Sequence, residues 1–213
     1  MFSRLQYISQ GNNASEQLSH IASALDAGCD WIQFRFKQAD EKTFQETAAK
    51  ALELCKPYKA TYIINDHVHI AAKIQADGVH IGLDDMPVAE ARRILGNSKI
   101  IGGTANTLDH VLMRVREQCD YIGLGPFRFT STKEKLSPIL GAEGYQKIMQ
   151  ALQLRKINTP VYAIGGITPG DVETIMHTGV YGIAVSGIIT NAPNKKELVE
   201  QLNDSLHANT SNS

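Results

Sequence analysis

An excess of charge of either sign, pairable cysteines and long apolar runs are all missing from this 213-residue chain. Twenty-one basic residues stand against 22 acidic ones, a formal net charge of −1. Binding nucleic acid or an anionic membrane surface calls for a basic excess, and none is present. The three cysteines, Cys29, Cys55 and Cys119, are far apart and odd in number. They argue against a disulfide framework and offer no Cys-x-x-Cys pair for zinc or redox chemistry. No stretch approaches the roughly 18 uncharged apolar residues that a membrane span needs. The segment from Met1 to Leu5 lacks the apolar core of a signal peptide, so a soluble, cytoplasmic protein is expected. The seven histidines are scattered and form no metal cluster. No Gly-x-Ser-x-Gly elbow, Walker loop or dinucleotide fingerprint occurs.

What is present is alternation. Short β-rich runs are read at 5–9, 30–37, 61–66, 78–82, 99–104, 121–127, 160–167 and 182–189. Between them lie helical patterns at 13–28, 41–55, a segment ending near Gln75, Pro87 to Gly96, 108–118, about 142–155, Pro169 to Gly179, and about 194–206. Strand–helix alternation implies parallel strands joined by helical crossovers. Eight units in about 200 residues favour an α/β fold closed as a (β/α)8 TIM barrel over an open doubly wound sheet. With 43% hydrophobic residues and no low-complexity linker, 1–207 reads as one domain and 208–213 as a frayed tail.

In either architecture ligands sit at the carboxyl ends of the strands, so the polar residues there matter most. Period-two geometry places Gln33, Arg35 and Lys37 on one face of strand two, with Ile32, Phe34 and Phe36 on the other. Two cations directed into a barrel need an anionic partner, which points to a phosphate-rich ligand. Asn65-Asp66 ends strand three, and Asp84-Asp85 follows strand four. Asp66 and Asp85 each stand where a helix N-cap is common. As a pair beside cations they also suit Mg²⁺, which is commonly held by one or two carboxylates plus ligand phosphates. The polar loop from Arg128 to Leu140 carries Thr130, Ser131, Thr132 and Lys133, donors able to wrap a diphosphate. Gly165-Gly166 at the end of strand seven and Val185-Ser186 carried by strand eight fall near the recurrent phosphate position of such barrels.

Taken in order, these segments resemble the thiamine-phosphate synthase family over nearly the whole chain. Gln33-x-Arg35-x-Lys37 is similar to that family's strand for the pyrimidine diphosphate, and Asn65-Asp66 and His80 to Asp85 to its metal-binding segments. The resemblance implies Asp66 and Asp85 as Mg²⁺ ligands, and Thr130, Thr132 and Lys133 as the diphosphate loop. It further implies a thiazole-phosphate cradle at Gly165, Gly166, Val185 and Ser186, with Gln33 orienting the pyrimidine. The implied reaction joins 4-amino-5-hydroxymethyl-2-methylpyrimidine diphosphate to 4-methyl-5-(2-phosphoethyl)thiazole. Arg35, Lys37 and Lys133 would stabilise the leaving diphosphate. The partners implied are small phosphorylated molecules; the oligomeric state stays open, a homo-oligomer included.

The chain departs from the pattern at several places. Leu83 stands for a Gln and Asn106 for a His, while the family hydroxyl is kept as Thr104; Phe129 replaces a Pro. A thiazole tautomerase of the same fold would carry a His where this chain has Pro126. A binding-only regulator on a decayed barrel would have no reason to keep both Asp66 and Asp85.

Overall fold

The computed structural model describes residues 2–129 and 139–208. Its strands are β1 (Leu5–Ile8), β2 (Trp31–Phe34), β3 (Thr61–Asn65), β4 (Gly78–Ile81), β5 (Ile100–Ala105), β6 (Tyr121–Leu124), β7 (Val161–Ile164) and β8 (Gly182–Val185). Each pairs in parallel with its sequence neighbour, and β8 pairs with β1, so the sheet closes as the expected eight-stranded barrel. The α-helices are α1 (Ala14–Asp26), α2 (Glu41–Cys55), α3 (Val68–Ile74), α4 (Val88–Leu95), α5 (Leu108–Arg116), α6 (Gly141–Leu154), α7 (Val172–His177), α8 (Gly187–Thr190) and α9 (Lys195–His207). Asn13, Asp40, Thr107 and Asn194 start α1, α2, α5 and α9 with side-chain oxygens on backbone N–H groups that no helical carbonyl can reach. No helix among the described residues is long and apolar enough to cross a membrane.

The strands end earlier than the sequence pattern suggests, β2 at Phe34 and β6 at Leu124. The apolar run 182–189 divides into β8 and the short helix α8, because a short apolar run carries no period of its own. Pro169 opens a 3₁₀ turn, Pro169–Asp171, that leads into α7. The tail from 209 onward lies outside the described residues.

Two apolar compartments set where a ligand can go. Between sheet and helices, outward side chains such as Ile32, Phe34, Ile64, Val79 and Ile122 pack against the helical layer. Inside the barrel, Trp31, Ile63, Tyr121 and Tyr162 form a separate cluster with Phe2, Ile100 and Tyr181. Trp31 meets Tyr121 and Tyr162 edge-on, with ring centroids 5.0 and 5.2 Å apart. That aromatic plug fills the end of the barrel where the strands begin. Nearer the carboxyl ends the inward residues include the buried polar side chains Gln33, Asn65 and His80.

Candidate active site

Ladder pairing of β2 stops at Phe34, so Arg35 and Lys37 stand on the rim beyond the strand while Gln33 stays inside. The Arg35 backbone is held by two side chains. Its N–H donates to Ser9 Oγ at 3.0 Å, and its carbonyl accepts from Gln17 Nε2 at 3.0 Å. Gln33 is 3% exposed and donates through Nε2 to Asn65 Oδ1 at 2.7 Å. Among the described residues its own buried Oε1 has no partner, an acceptor left for a ligand.

Asp66 adopts φ +63°, a left-handed conformation uncommon for a side chain other than glycine and frequent at functional sites. Helix α3 starts from His67 and α4 from Pro87, neither with a side-chain cap. Among the described residues, therefore, Asp66 and Asp85 cap no helix. Asp85 Oδ2 instead accepts from the Gly82 N–H at 2.8 Å and lies within hydrogen-bonding reach of Asp66. Burial raises the Asp66 carboxyl from 3.8 to about 7, aided by the hydrogen bond and charge of Asp85 and opposed by Lys37 and Arg35. The structure thus gathers Arg35, Lys37, Asp66 and Asp85 at one rim position.

Across the barrel mouth lies a cavity of about 520 Å³ whose lining includes Ile8, Arg35, Gly165, Gly166, Val185 and Ser186. Gly165 and Gly166 have φ +88° and +70°. A Cβ on Gly165 would stand 2.8 Å from Pro126 Cβ, and one on Gly166 2.9 Å from the Phe129 carbonyl oxygen, so space and backbone both demand glycine. Ser186 donates to Gln10 Oε1 at 3.1 Å. Arg128 clasps this loop, holding Asp171 with two 2.8 Å bonds and the Gly166 carbonyl at 3.1 Å. The hydrogen bond from Arg128 holds the Asp171 carboxyl down to about 2, opposed by burial and aided by Thr168.

Thr104, at the end of β5, bonds His80 Nε2 at 3.0 Å through its hydroxyl. Thr130, Thr132 and Lys133 lie outside the described residues. Sequence reasoning missed Ser9, Gln10, Gln17 and the buried Arg114. Arg114 on α5 donates to the Thr104 carbonyl at 3.1 Å and the Gly82 carbonyl at 2.7 Å, tying the Asp85 turn to β5. Asn106, which stands for a family His, donates to the Gly125 carbonyl and anchors the start of the β6 loop. A polar residue on the apolar stripe of α1 was the available signal for Gln17.

Residues 5–189 match the family described as thiamine monophosphate synthase. A thiamine-phosphate synthase of Flavobacterium johnsoniae is 57% identical over 209 residues, covering 98% of this chain and 99% of that one. Another, from Phocaeicola vulgatus, is 50% identical over 188 residues, 88% of this chain and 90% of its own. The solved thiamine phosphate pyrophosphorylase of Pyrococcus furiosus superposes with a TM-score of 0.84 at 29% identity, with 96% of each chain covered. A 3-hexulose-6-phosphate synthase, at 12% identity and a TM-score of 0.70, shares the fold alone. The chain belongs to the thiamine monophosphate synthase family.

Proposed function

We propose that this chain makes thiamine phosphate by joining the pyrimidine diphosphate to the thiazole phosphate, with release of diphosphate. The observation that carries the reading is the meeting of Arg35 and Lys37 with a carboxylate pair that caps no helix, at the same mouth as the glycine-lined cavity. Cations and carboxylates together at one rim suit a metal-bound diphosphate better than either a bare anion or a bare cation. A Mg²⁺ ion fits the donor set. Asp66 and Asp85 share a site that leaves Asp66 hard to ionise, and an added cation removes that conflict. Among the described residues no third His, Cys, Asp or Glu joins them, so water and diphosphate oxygens would complete the shell. When bound there, Mg²⁺ supplies positive charge to the diphosphate.

Arg35 and Lys37 stabilise negative charge as the methylene–oxygen bond of the pyrimidine diphosphate breaks and its electron pair leaves with the diphosphate. The thiazole nitrogen then donates its lone pair to that methylene carbon, forming the carbon–nitrogen bond. Neither step asks for a nucleophilic side chain or a strong base. Gln33 offers its free Oε1 as an acceptor for the pyrimidine. Gly165, Gly166, Val185 and Ser186 cradle the thiazole phosphate, and Thr130, Thr132 and Lys133 complete the diphosphate contacts.

The test is an endpoint assay with both substrates, with and without Mg²⁺, reading thiamine phosphate by oxidation to a fluorescent thiochrome. Product that depends on Mg²⁺ is expected. Folded protein that forms none would overturn the reading.

A further inference from the structure

We infer that His80 and Tyr121 are positioning residues that turn the Thr104 hydroxyl into an obligate hydrogen-bond donor facing the barrel mouth. The inference rests on the proposed function and adds Thr104, near the carboxyl end of β5, to its substrate site, with a direction for that residue's hydrogen bond.

Four side chains on four strands cross the barrel interior in one line. Gln6 Nε2 lies 3.2 Å from Tyr121 Oη, Tyr121 Oη 3.1 Å from His80 Nδ1, and His80 Nε2 3.0 Å from Thr104 Oγ1. Gln6 and His80 are 1% and 6% exposed, and Tyr121 is fully buried. Two glycines make room for the line. A Cβ on Gly102 would stand 2.1 Å from Tyr121 Cζ, and one on Gly123 3.0 Å from His80 Cε1.

Donor arithmetic gives the line a polarity. An amide nitrogen only donates, so Tyr121 Oη accepts from Gln6. Burial raises the Tyr121 phenol, which therefore keeps its proton. That proton goes to His80 Nδ1, which becomes the acceptor nitrogen of the ring. The ring proton then resides on Nε2 and is donated to Thr104 Oγ1. With its oxygen already accepting, Thr104 has its own proton left to give. Thr104 is half-buried at the carboxyl end of β5, so a buried line that starts near the aromatic plug ends in one outward donor. The matching ligand group is an anionic oxygen of the diphosphate. A serine or threonine hydroxyl facing a histidine can usually give its proton to the ring; here that proton is directed away from the ring.

The test uses full-length protein labelled with ¹⁵N at histidine. Long-range ¹⁵N–¹H correlation spectra report which ring nitrogen of His80 carries the proton, and the His80→Gln variant identifies its signals. Binding of inorganic diphosphate in the presence of Mg²⁺ is measured alongside by calorimetry. Expected is a single tautomer protonated at Nε2 in the wild type, lost or mixed in Tyr121→Phe. Thr104→Val is expected to weaken diphosphate binding on the order of tenfold, and Tyr121→Phe about threefold. A His80 protonated at Nδ1 would overturn the inference, since Thr104 would then donate to the ring. An unchanged tautomer and affinity in Tyr121→Phe would overturn it as well. If Thr104→Val binds diphosphate like the wild type while the Nε2 tautomer persists, the fault lies instead in placing Thr104 at the diphosphate, and the inference falls with that placement.

Discussion

Replacing Asp66 with Asn should make the metal-free protein more stable, by an amount that grows with pH. Burial first, and then the neighbouring Asp85 carboxylate, raises the Asp66 carboxyl to about 7 from its ordinary 3.8. A carboxyl with a raised folded value binds its proton more tightly in the native state than in the unfolded one. Below about pH 4 both states hold the proton and nothing is lost. Between about pH 4 and 7 the unfolded chain ionises while the native state resists, so stability falls as pH rises, and the loss is complete above about 7. A window about three pH units wide, at about 1.4 kcal/mol each, sets an upper bound near 4 kcal/mol. Residual solvent at a partly buried rim brings this to about 2–3 kcal/mol. For a chain of this size that is roughly 4–12 °C in Tm. Asn also suits the left-handed φ of +63°, which adds a small gain independent of pH. Thermal melts in chelator from pH 4 to 9 separate the two contributions, because only the carboxylate effect changes across the series. Mg²⁺ at pH 8 should raise the wild-type Tm and leave the variant nearly unmoved, since ligand binding stabilises only a state that keeps the site. An advantage that stays flat with pH, or a less stable variant at pH 8, would refute the electrostatic account of this pair.

Three further outcomes follow from local geometry. Cys29, Cys55 and Cys119 are all buried, which pushes each thiol up to about 12. An aromatic disulfide reagent should therefore label none of them in native protein at pH 8 and all three after denaturation. Gly166→Ala meets the Phe129 carbonyl at 2.9 Å in a left-handed conformation; the KM for thiazole phosphate in steady-state assays should rise at least tenfold, against a Tm change of only a few degrees. Gln17→Met removes the donor that holds the Gly11 and Arg35 carbonyls, together with a buried unpartnered Oε1. Denaturant unfolding should show stability within about 1 kcal/mol of wild type, while affinity for diphosphate falls several-fold as Arg35 loses its anchor. A large loss of stability with intact affinity would make Gln17 a purely structural residue.

The barrel was legible because its signal is repeated eight times. Strand–helix alternation and helix starts such as Asp40 and Thr107 are local, and each agrees with its neighbours. Strand ends were less so. Arg35 and Lys37 continue the alternation of β2 past Phe34, yet their backbone leaves the ladder there, because pairing depends on what the next strand offers. Helix α8 was hidden for a related reason: four residues make one turn, too few to show a period.

For the site, sequence brought out the groups that carry charge and missed those that aim them. Arg35, Lys37, Asp66 and Asp85 stand out because ionised groups at strand ends are costly unless something uses them. Their supports are neutral or distant in sequence. Ser9 and Gln17 hold the Arg35 backbone from the β1 side, and Arg114 holds the Asp85 turn from α5. Bonds of this kind join carbonyls and amides that every residue has, so no motif advertises them. The carboxylate pair shows the consequence. Whether Asp66 and Asp85 are two helix caps or one site turns on a left-handed φ at Asp66 and on the Gly82 N–H that turns Asp85 inward, and both are properties of the folded loops. Residue type narrowed the chemistry to a metal-bound diphosphate or a pair of caps; the folded loops leave both carboxylates off the starts of α3 and α4, which supports the proposed metal-bound diphosphate.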